Sequence, residues 1–147
     1  MPLKEELFAD LKTAMKEKDV IRKDTIQIVR AGILQIEKDS KVELGDEGVT
    51  EIISKELKKR YDVLPDYEKS GRTDLIEELN RQVSILKNYL PEQLNEDEIT
   101  IIIKESINEI SAKTIKDMGK VMAAVTPRLK SRADNKLVST IVKNLLS

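Results

Sequence analysis

Apolar residues recur every three or four positions along most of the chain, which is the spacing of one face of an α-helix. The first such stripe begins at Leu3, and its helix is expected to end near Asp19. A second helix begins near Ile21 and is interrupted by the Gly45–Gly48 segment. This pattern predicts an all-α protein, with a four-helix N-terminal part followed by a C-terminal three-helix bundle.

The middle of the chain carries start and stop signals for two more helices. Thr50 is predicted to cap the third helix. Pro65 lies within its apolar pattern, so the helix either kinks there or ends near Leu64, because proline lacks an N–H and clashes with the preceding turn. Gly71 is a predicted helix stop, and Thr73 is predicted to cap the fourth helix.

Pro91 marks the clearest boundary, because a proline disfavours helical geometry in the residue before it. We therefore expect two domains, an N-terminal helical domain over residues 1–90 and a C-terminal domain over residues 91–147. Asn95 and Glu98 have the spacing of a capping box at the start of the fifth helix. Thr114 is predicted to cap the sixth helix, which Pro127 is expected to end.

The seventh helix is predicted to start at Asp134 and is strongly apolar. Its apolar positions are Leu137, Val138, Ile141, Val142, Leu145 and Leu146. A domain this small is marginal alone, and these side chains offer more apolar surface than it is expected to bury. One hypothesis is therefore a protein–protein interaction module that docks on a partner through its C-terminal helices.

The amino-acid composition limits the kinds of chemistry that the protein can perform. Apolar residues make up 39% of the 147 residues and charged residues 36%, while Gly (5) and Pro (4) are few, as expected for amphipathic helices. Cys and His are both absent, which excludes disulfides, thiolate metal sites and the side chain best suited to proton transfer near pH 7. No apolar run is long enough to span a bilayer, and the start lacks an apolar signal segment, so we expect a cytoplasmic protein with no membrane partner.

No motif in the sequence supports catalysis. Ser54–Lys55 and the Ser84/Lys87 pair are spaced like ordinary solvent-facing helix positions. The acidic pairs and triplets, such as Asp46–Glu47, do not have the spacing of an EF-hand, and charge at a helix start explains them. We therefore predict no catalytic residue, no metal ligand and no cofactor; any enzyme activity would need partner subunits.

Positive charge is concentrated near the C-terminus. Residues 113–147 hold eight basic and two acidic side chains, a net charge of +6, although the whole chain carries −1. Clustered cations attract phosphates, and with no aromatic residue after Tyr89 such a surface favours backbone contacts over base stacking. The candidate nucleic-acid-binding residues are Lys113, Lys116, Lys120, Arg128, Lys130, Arg132 and Lys136. The alternative is a solvated surface that binds nothing.

Gly119 lies within the predicted sixth helix, where a glycine is unfavourable. Close packing against another helix is the favoured reason for it, and close approach of a ligand is the alternative.

Four segments resemble the GatB/YqeY family in order and spacing. They are Tyr67–Arg72, Tyr89–Leu94, Asp117–Met122 and Arg132–Val138. The resemblance covers nearly the whole chain and is closest to the free-standing YqeY-like proteins. Where the family often has Gly-x-Ala-Asp-Gly-Lys, this chain has Ser131 and Asn135 in the glycine places, and Asn135 is expected to keep a left-handed turn.

The resemblance implies a function connected with tRNA. The C-terminal helices are similar to the tail of the B subunit of the amidotransferase that converts glutamyl- or aspartyl-tRNA to the amide form, with glutamine as nitrogen donor. That tail helps to hold tRNA, whereas the catalytic centres lie in domains that this chain lacks. The resemblance therefore implies a tRNA-associated accessory protein whose partner is tRNA or an aminoacyl-tRNA complex, with carbon–nitrogen ligase activity attached to it only by association.

Overall fold

The computed structural model describes residues 2–147 and shows seven α-helices, one 3-10 turn and no strand among them, so the predicted all-α fold is confirmed. None of the described helices is both long and apolar enough to cross a membrane. The elements are α1 (Leu3–Glu17), α2 (Val20–Ser40), α3 (Asp46–Ser70), α4 (Thr73–Lys87), α5 (Glu96–Ile110), the 3-10 turn (Ile115–Asp117), α6 (Met118–Leu129) and α7 (Asn135–Leu146). They form two compact units, residues 2–90 and Pro91–Ser147.

The N-terminal unit contains α1 to α4, with α1 packed on α2 and α3 on α4. Its core takes apolar side chains from all four helices, and their removal from water drives the assembly. These side chains are Leu7, Leu11, Ile26, Val29, Ile33, Val49, Ile52, Ile53, Leu57, Val83 and Leu86. Gly32 allows α2 to approach α3 closely, because a β-carbon there would lie 3.2 Å from Ile52 Cγ2.

Two of the predicted helix starts in this unit are wrong. Gly45, not Thr50, is the N-cap of α3, and Thr50 lies inside the helix with its hydroxyl donating to the Asp46 carbonyl at 2.7 Å. The acidic residues that follow Gly45 stabilise this earlier start through the helix dipole. Thr73 is the first helical residue of α4, and Arg72 occupies the cap position.

Pro65 does not end α3, which continues to Ser70. Pro65 is exposed, so the carbonyl that loses its helical partner faces water instead of the core. The left-handed residue that ends the helix is Gly71, as predicted, with a φ of 69°.

The C-terminal unit contains α5, the 3-10 turn, α6 and α7 around a second core. Its buried members are Ile99, Ile103, Val121, Val125, Leu129, Val138, Ile141, Val142 and Leu146. The predicted capping box of Asn95 and Glu98 is confirmed, with both reciprocal hydrogen bonds formed.

Pro127 does not end the sixth helix, which runs to Leu129 after starting as the 3-10 turn. Pro127 is exposed while Leu129 is buried in the core, so packing of Leu129 favours the extra half turn over an end at the proline.

The apolar surface expected on α7 is mostly used within this unit. Val138, Ile141, Val142 and Leu146 are buried and Leu137 packs against the same core, which leaves only Leu145 of the six classed as exposed. The excess apolar surface that motivated docking through the C-terminal helices is therefore not present on α7.

The loop between α6 and α7 places Ser131, not Asn135, in the left-handed region. Ser131 has a φ of 64°, whereas Asn135 is the first residue of α7. The expectation for Asn135 was wrong, because Asp134 acts as the N-cap and helical geometry begins directly after it. Backbone bonds hold the loop, with the Leu94 N–H donating to the Arg132 carbonyl at 2.9 Å.

Ser131→Gly is expected to stabilise the protein by about 0.5–1 kcal/mol. A residue with a β-carbon is strained at this φ, and glycine removes the strain, although it also gains freedom in the unfolded chain. The urea midpoint at constant m-value measures the change. Asn135→Gly is the matched control and should not stabilise, since Asn135 is helical. A lower midpoint for Ser131→Gly would contradict the argument.

Candidate nucleic-acid interface

The seven candidate cations fall into two groups at opposite ends of α6. Lys113, Lys116 and Lys120 lie around its start, whereas the other four belong to its last turn, the following loop and the first turn of α7. Lys120 and Arg128, the nearest members of the two groups along α6, are eight residues apart, which is roughly 12 Å along the helix axis at about 1.5 Å per residue. The structure therefore places the seven in two groups along α6.

The first group, which we call the lysine turn (Lys113, Lys116 and Lys120), is organised by Asp117. The Asp117 carboxylate accepts the Lys113 N–H at 2.9 Å and the Thr114 N–H at 3.4 Å. These backbone hydrogen bonds, with a smaller contribution from the Lys120 charge, hold the pKa of Asp117 below its usual value. A carboxylate that stays ionised closes the turn, so the three lysines project from an ordered backbone.

All three side chains of the lysine turn are exposed to solvent. Within residues 2–147, no carboxylate lies within ion-pair distance of any of their ammonium groups. Their charge is therefore available to an external anion, subject to the nearby charge of Asp117.

Gly119 lies in the middle of this surface and is exposed. A β-carbon built there would have no atom within 4 Å, so close helix packing, the favoured reason for this glycine, is wrong. The neighbouring Ala123 is also exposed, so the helix surface beside Lys116 and Lys120 carries only small side chains. Such a surface leaves room for an extended ligand to approach the helix backbone.

Arg128 has a structural partner on α5. Its guanidinium donates to Glu105 Oε2 at 2.9 Å and to the Ser106 hydroxyl at 3.2 Å, and Ser106 is buried. Arg128 thus connects α6 to α5 and its charge is balanced locally. An exposed pair of this kind contributes about 1 kcal/mol or less, so its main effect is on position.

The remaining three cations lie in and after the α6–α7 loop. Arg132 is half-buried and its backbone joins the loop to Leu94 and Leu129. Lys130 and Lys136 are exposed and take part in interactions within the chain. The second group is therefore more strongly tied into the fold than the lysine turn.

The N-terminal unit holds a polar cleft that sequence reasoning missed. Its volume is about 480 Å³. The Tyr89 hydroxyl donates to Asp10 Oδ2 at 2.5 Å, and Arg22 lies 3.4 Å from the same carboxylate. Burial and the Asp10 carboxylate raise the pKa of Tyr89 well above its usual value. Arg81 pairs with Asp19 at 2.6 Å.

Four charged residues of this cleft are paired within it: Asp10 with Arg22 and Tyr89, and Asp19 with Arg81. The repeated spacing of acidic residues on α1 is the only sign of this cleft in the sequence, because the residues that pair across the cleft lie up to 79 positions apart. Among the described residues, no group of three or more metal-ligating side chains is placed to hold a metal ion, here or elsewhere.

Known proteins of related sequence include three fungal proteins, each named altered inheritance of mitochondria protein 41, mitochondrial. The chain is 28% identical to that of Pyrenophora tritici-repentis over 143 residues, 95% of this chain and 78% of the relative. It is 36% identical to that of Lachancea thermotolerans over 85 residues (57% and 46%) and 35% identical to that of Kluyveromyces lactis over 119 residues (74% and 64%).

The family model described as Yqey-like protein matches residues 4–146, which is nearly the whole chain. The four segments that resemble the GatB/YqeY family all lie within the matched range. The resemblance drawn from those segments is confirmed, and the chain belongs to the Yqey-like protein family.

Proposed function

We propose that this protein is a tRNA-associated accessory protein whose C-terminal unit binds the RNA backbone through the lysine turn. The observation that carries the proposal is the set of three exposed lysines, held by an Asp117-closed turn beside the open surface at Gly119. The resemblance of this unit to the tail of the amidotransferase B subunit supports tRNA as the RNA.

The chemistry of the surface favours phosphate contacts. Lysine ammonium groups act as point charges, and residues 91–147 contain no aromatic side chain on which a base can stack. Binding of this kind reads the shape and charge of a folded RNA and not its base sequence. Lys130, Arg132 and Lys136 are proposed as further contacts at the other end of α6, and Arg128 as the residue that positions this end.

We propose no catalysis by the chain alone. A carbon–nitrogen ligase reaction would need a nucleophile and an acid–base group supplied by partner subunits, since the sequence has neither Cys nor His. Incubation of the pure protein with glutamine and glutamyl-tRNA tests this proposal. Release of ammonia above the level of a heat-denatured sample would refute it.

The proposed cytoplasmic location of the protein is separate from the proposed RNA binding. The sequence predicts a cytoplasmic protein, whereas the three fungal relatives carry the word mitochondrial in their names. Phosphate contacts do not depend on this choice, because RNA carries the same backbone charge in either compartment.

The salt dependence of tRNA binding tests the proposed function. The full chain is titrated with bulk tRNA at 50, 100 and 200 mM monovalent salt. Each phosphate contact contributes about 0.7–0.9 to the slope of log affinity against log salt, so the lysine turn alone predicts a slope of about −2 to −3 and all six proposed contacts together about −4 to −5. A slope near zero, or no saturable binding at 50 mM salt, would contradict the proposal.

A further inference from the structure

One surface of the N-terminal unit exposes apolar side chains beside cations. Phe8 is 44% exposed, Met15 57% and Leu34 62%. On α1, Phe8, Lys12 and Met15 share one stripe by their spacing of four and seven, and on α2 Arg30 and Leu34 are four apart. We call these five residues the α1–α2 face.

The Phe8 ring joins the two helices of this face. The Lys12 ammonium lies 4.2 Å from the ring centroid, and the Arg30 guanidinium carbon lies 4.8 Å from it. Both contacts are within the range of cation–π attraction, which holds the cations over the ring. Within residues 2–147, neither Lys12 nor Arg30 has a carboxylate within ion-pair distance.

A small cleft lies beside the ring, between α1 and α2. Its volume is about 90 Å³. Leu7, Ile33 and Leu34 supply its apolar lining, and Arg30 lies at its rim. The ion pair of Lys4 with Glu37 also lines it. The cleft has the size and polarity to receive one apolar side chain.

The arrangement of charge on the α1–α2 face indicates which kind of partner this face binds. An apolar floor with cations at its edge is complementary to an apolar side chain flanked by carboxylates. A nucleic-acid base would have to displace the cations from the ring, because they occupy positions over Phe8 where a base stacks. A recessed cleft also suits an inserted side chain better than a flat lipid surface.

We propose that the α1–α2 face docks an acidic amphipathic helix of a partner protein. Apolar residues spaced three or four apart on that helix insert at Leu34 and the cleft, and its carboxylates pair with Lys12 and Arg30. This is the helix-in-groove mode of recognition. The site lies in the N-terminal unit and is independent of the proposed RNA contacts, so either proposal can fail without the other.

A peptide selection tests the proposal. A phage-displayed library of random helix-forming peptides is selected on the full-length protein, with counter-selection on Leu34→Glu. The most enriched sequence is then made synthetically and titrated against the wild type, Leu34→Glu and Lys12→Glu/Arg30→Glu by fluorescence anisotropy. Ile28→Glu and Lys58→Glu are matched controls, since both residues are exposed and lie outside the face. Far-ultraviolet circular dichroism checks that each variant is folded.

The expected peptides combine net negative charge with apolar residues three or four apart. The synthetic peptide should bind the wild type and both controls alike, and should lose at least about tenfold in affinity for the two face variants, equivalent to about 1.4 kcal/mol. No enrichment over Leu34→Glu, or enrichment of basic peptides, would overturn the proposal. Leu34-dependent binding of phosphatidylglycerol vesicles or of poly(U), without peptide binding, would also overturn it and assign the face to lipid or RNA.

Discussion

Lys116→Glu/Lys120→Glu is expected to weaken tRNA binding by at least about tenfold at 50 mM salt and to make the salt slope shallower by about two. The two substitutions remove two of the three phosphate contacts proposed for the lysine turn and place carboxylates beside Asp117, where they repel phosphate. Both side chains are exposed, so the fold should be unaffected. A gel-shift titration at 50 and 200 mM salt measures both quantities.

The matched control for this variant is Lys104→Glu/Lys143→Glu. It makes the same change in net charge within the same unit, at exposed positions on α5 and α7 outside the lysine turn. Under the proposal the control keeps most of the affinity. Equal losses in the two variants would indicate general electrostatic attraction, and no loss in either would leave the lysine turn as a solvated surface.

Several features of the fold that depend on local sequence were predicted correctly, although the helix starts at Thr50 and Thr73 were not. The helical period identifies all seven helices because each contributes one apolar stripe to its unit's core. The capping box at Asn95 and the stop at Gly71 depend on residues within four positions of one another, so the sequence alone specifies them.

The helix boundaries at the two prolines were decided by packing or solvent exposure. The proline rule predicts that α3 either kinks at Pro65 or ends near Leu64, and that α6 ends at Pro127. Both prolines are exposed, and in α6 burial of Leu129 favours continuation past the proline. The sequence does not reveal which side of a helix a proline faces until the neighbouring helices are known.

In the candidate site, too, the features set by nearby residues were predicted from the sequence, and those set by distant residues were not. Charge counting finds all seven cations, but the partner of Arg128 on α5 is 23 positions away and can be identified only from the packing of α5 on α6. The reason for Gly119 also depends on the positions of the neighbouring helices, since these positions decide whether the glycine lies in a helix contact or on an open surface. The sequence therefore identified a basic region, and the structure separates the lysine turn from cations that support the fold.

Arg60 is the charged residue whose loss should destabilise the protein most. It is only 9% exposed, and it donates to Gln82 Oε1 at 2.9 Å and to Glu56 Oε2 at 2.7 Å, so it connects α3 to α4. Partial burial of Glu56 acts to raise its pKa, but hydrogen bonds from Arg60 and Lys59 outweigh burial and hold the pKa below its usual value. The Glu56 carboxylate is therefore stable in this site only while its partners are present.

Arg60→Ala is expected to lower the free energy of unfolding by about 2–4 kcal/mol at pH 7. Removing one partner of a buried pair leaves the other charge poorly solvated, and Gln82 also loses its donor. Urea unfolding followed by circular dichroism measures the loss. Arg60→Met/Glu56→Gln is the control and should recover part of it, because an apolar side chain beside a neutral amide leaves no unpaired charge in the buried site, and Lys59, which also loses Glu56, is exposed.

The pH dependence of the destabilisation caused by Arg60→Ala distinguishes loss of the ion pair from loss of packing. In the wild type the pair contributes stability above the usual pKa of Glu56, and this contribution is lost as the pH falls through the lowered value. In Arg60→Ala the Glu56 carboxylate keeps only Lys59 as a partner and takes up a proton more readily, so acidification relieves part of the penalty. The destabilisation relative to wild type should therefore be smaller near pH 4 than at pH 7. A difference that stays constant between these pH values would show that Arg60 acts through packing alone.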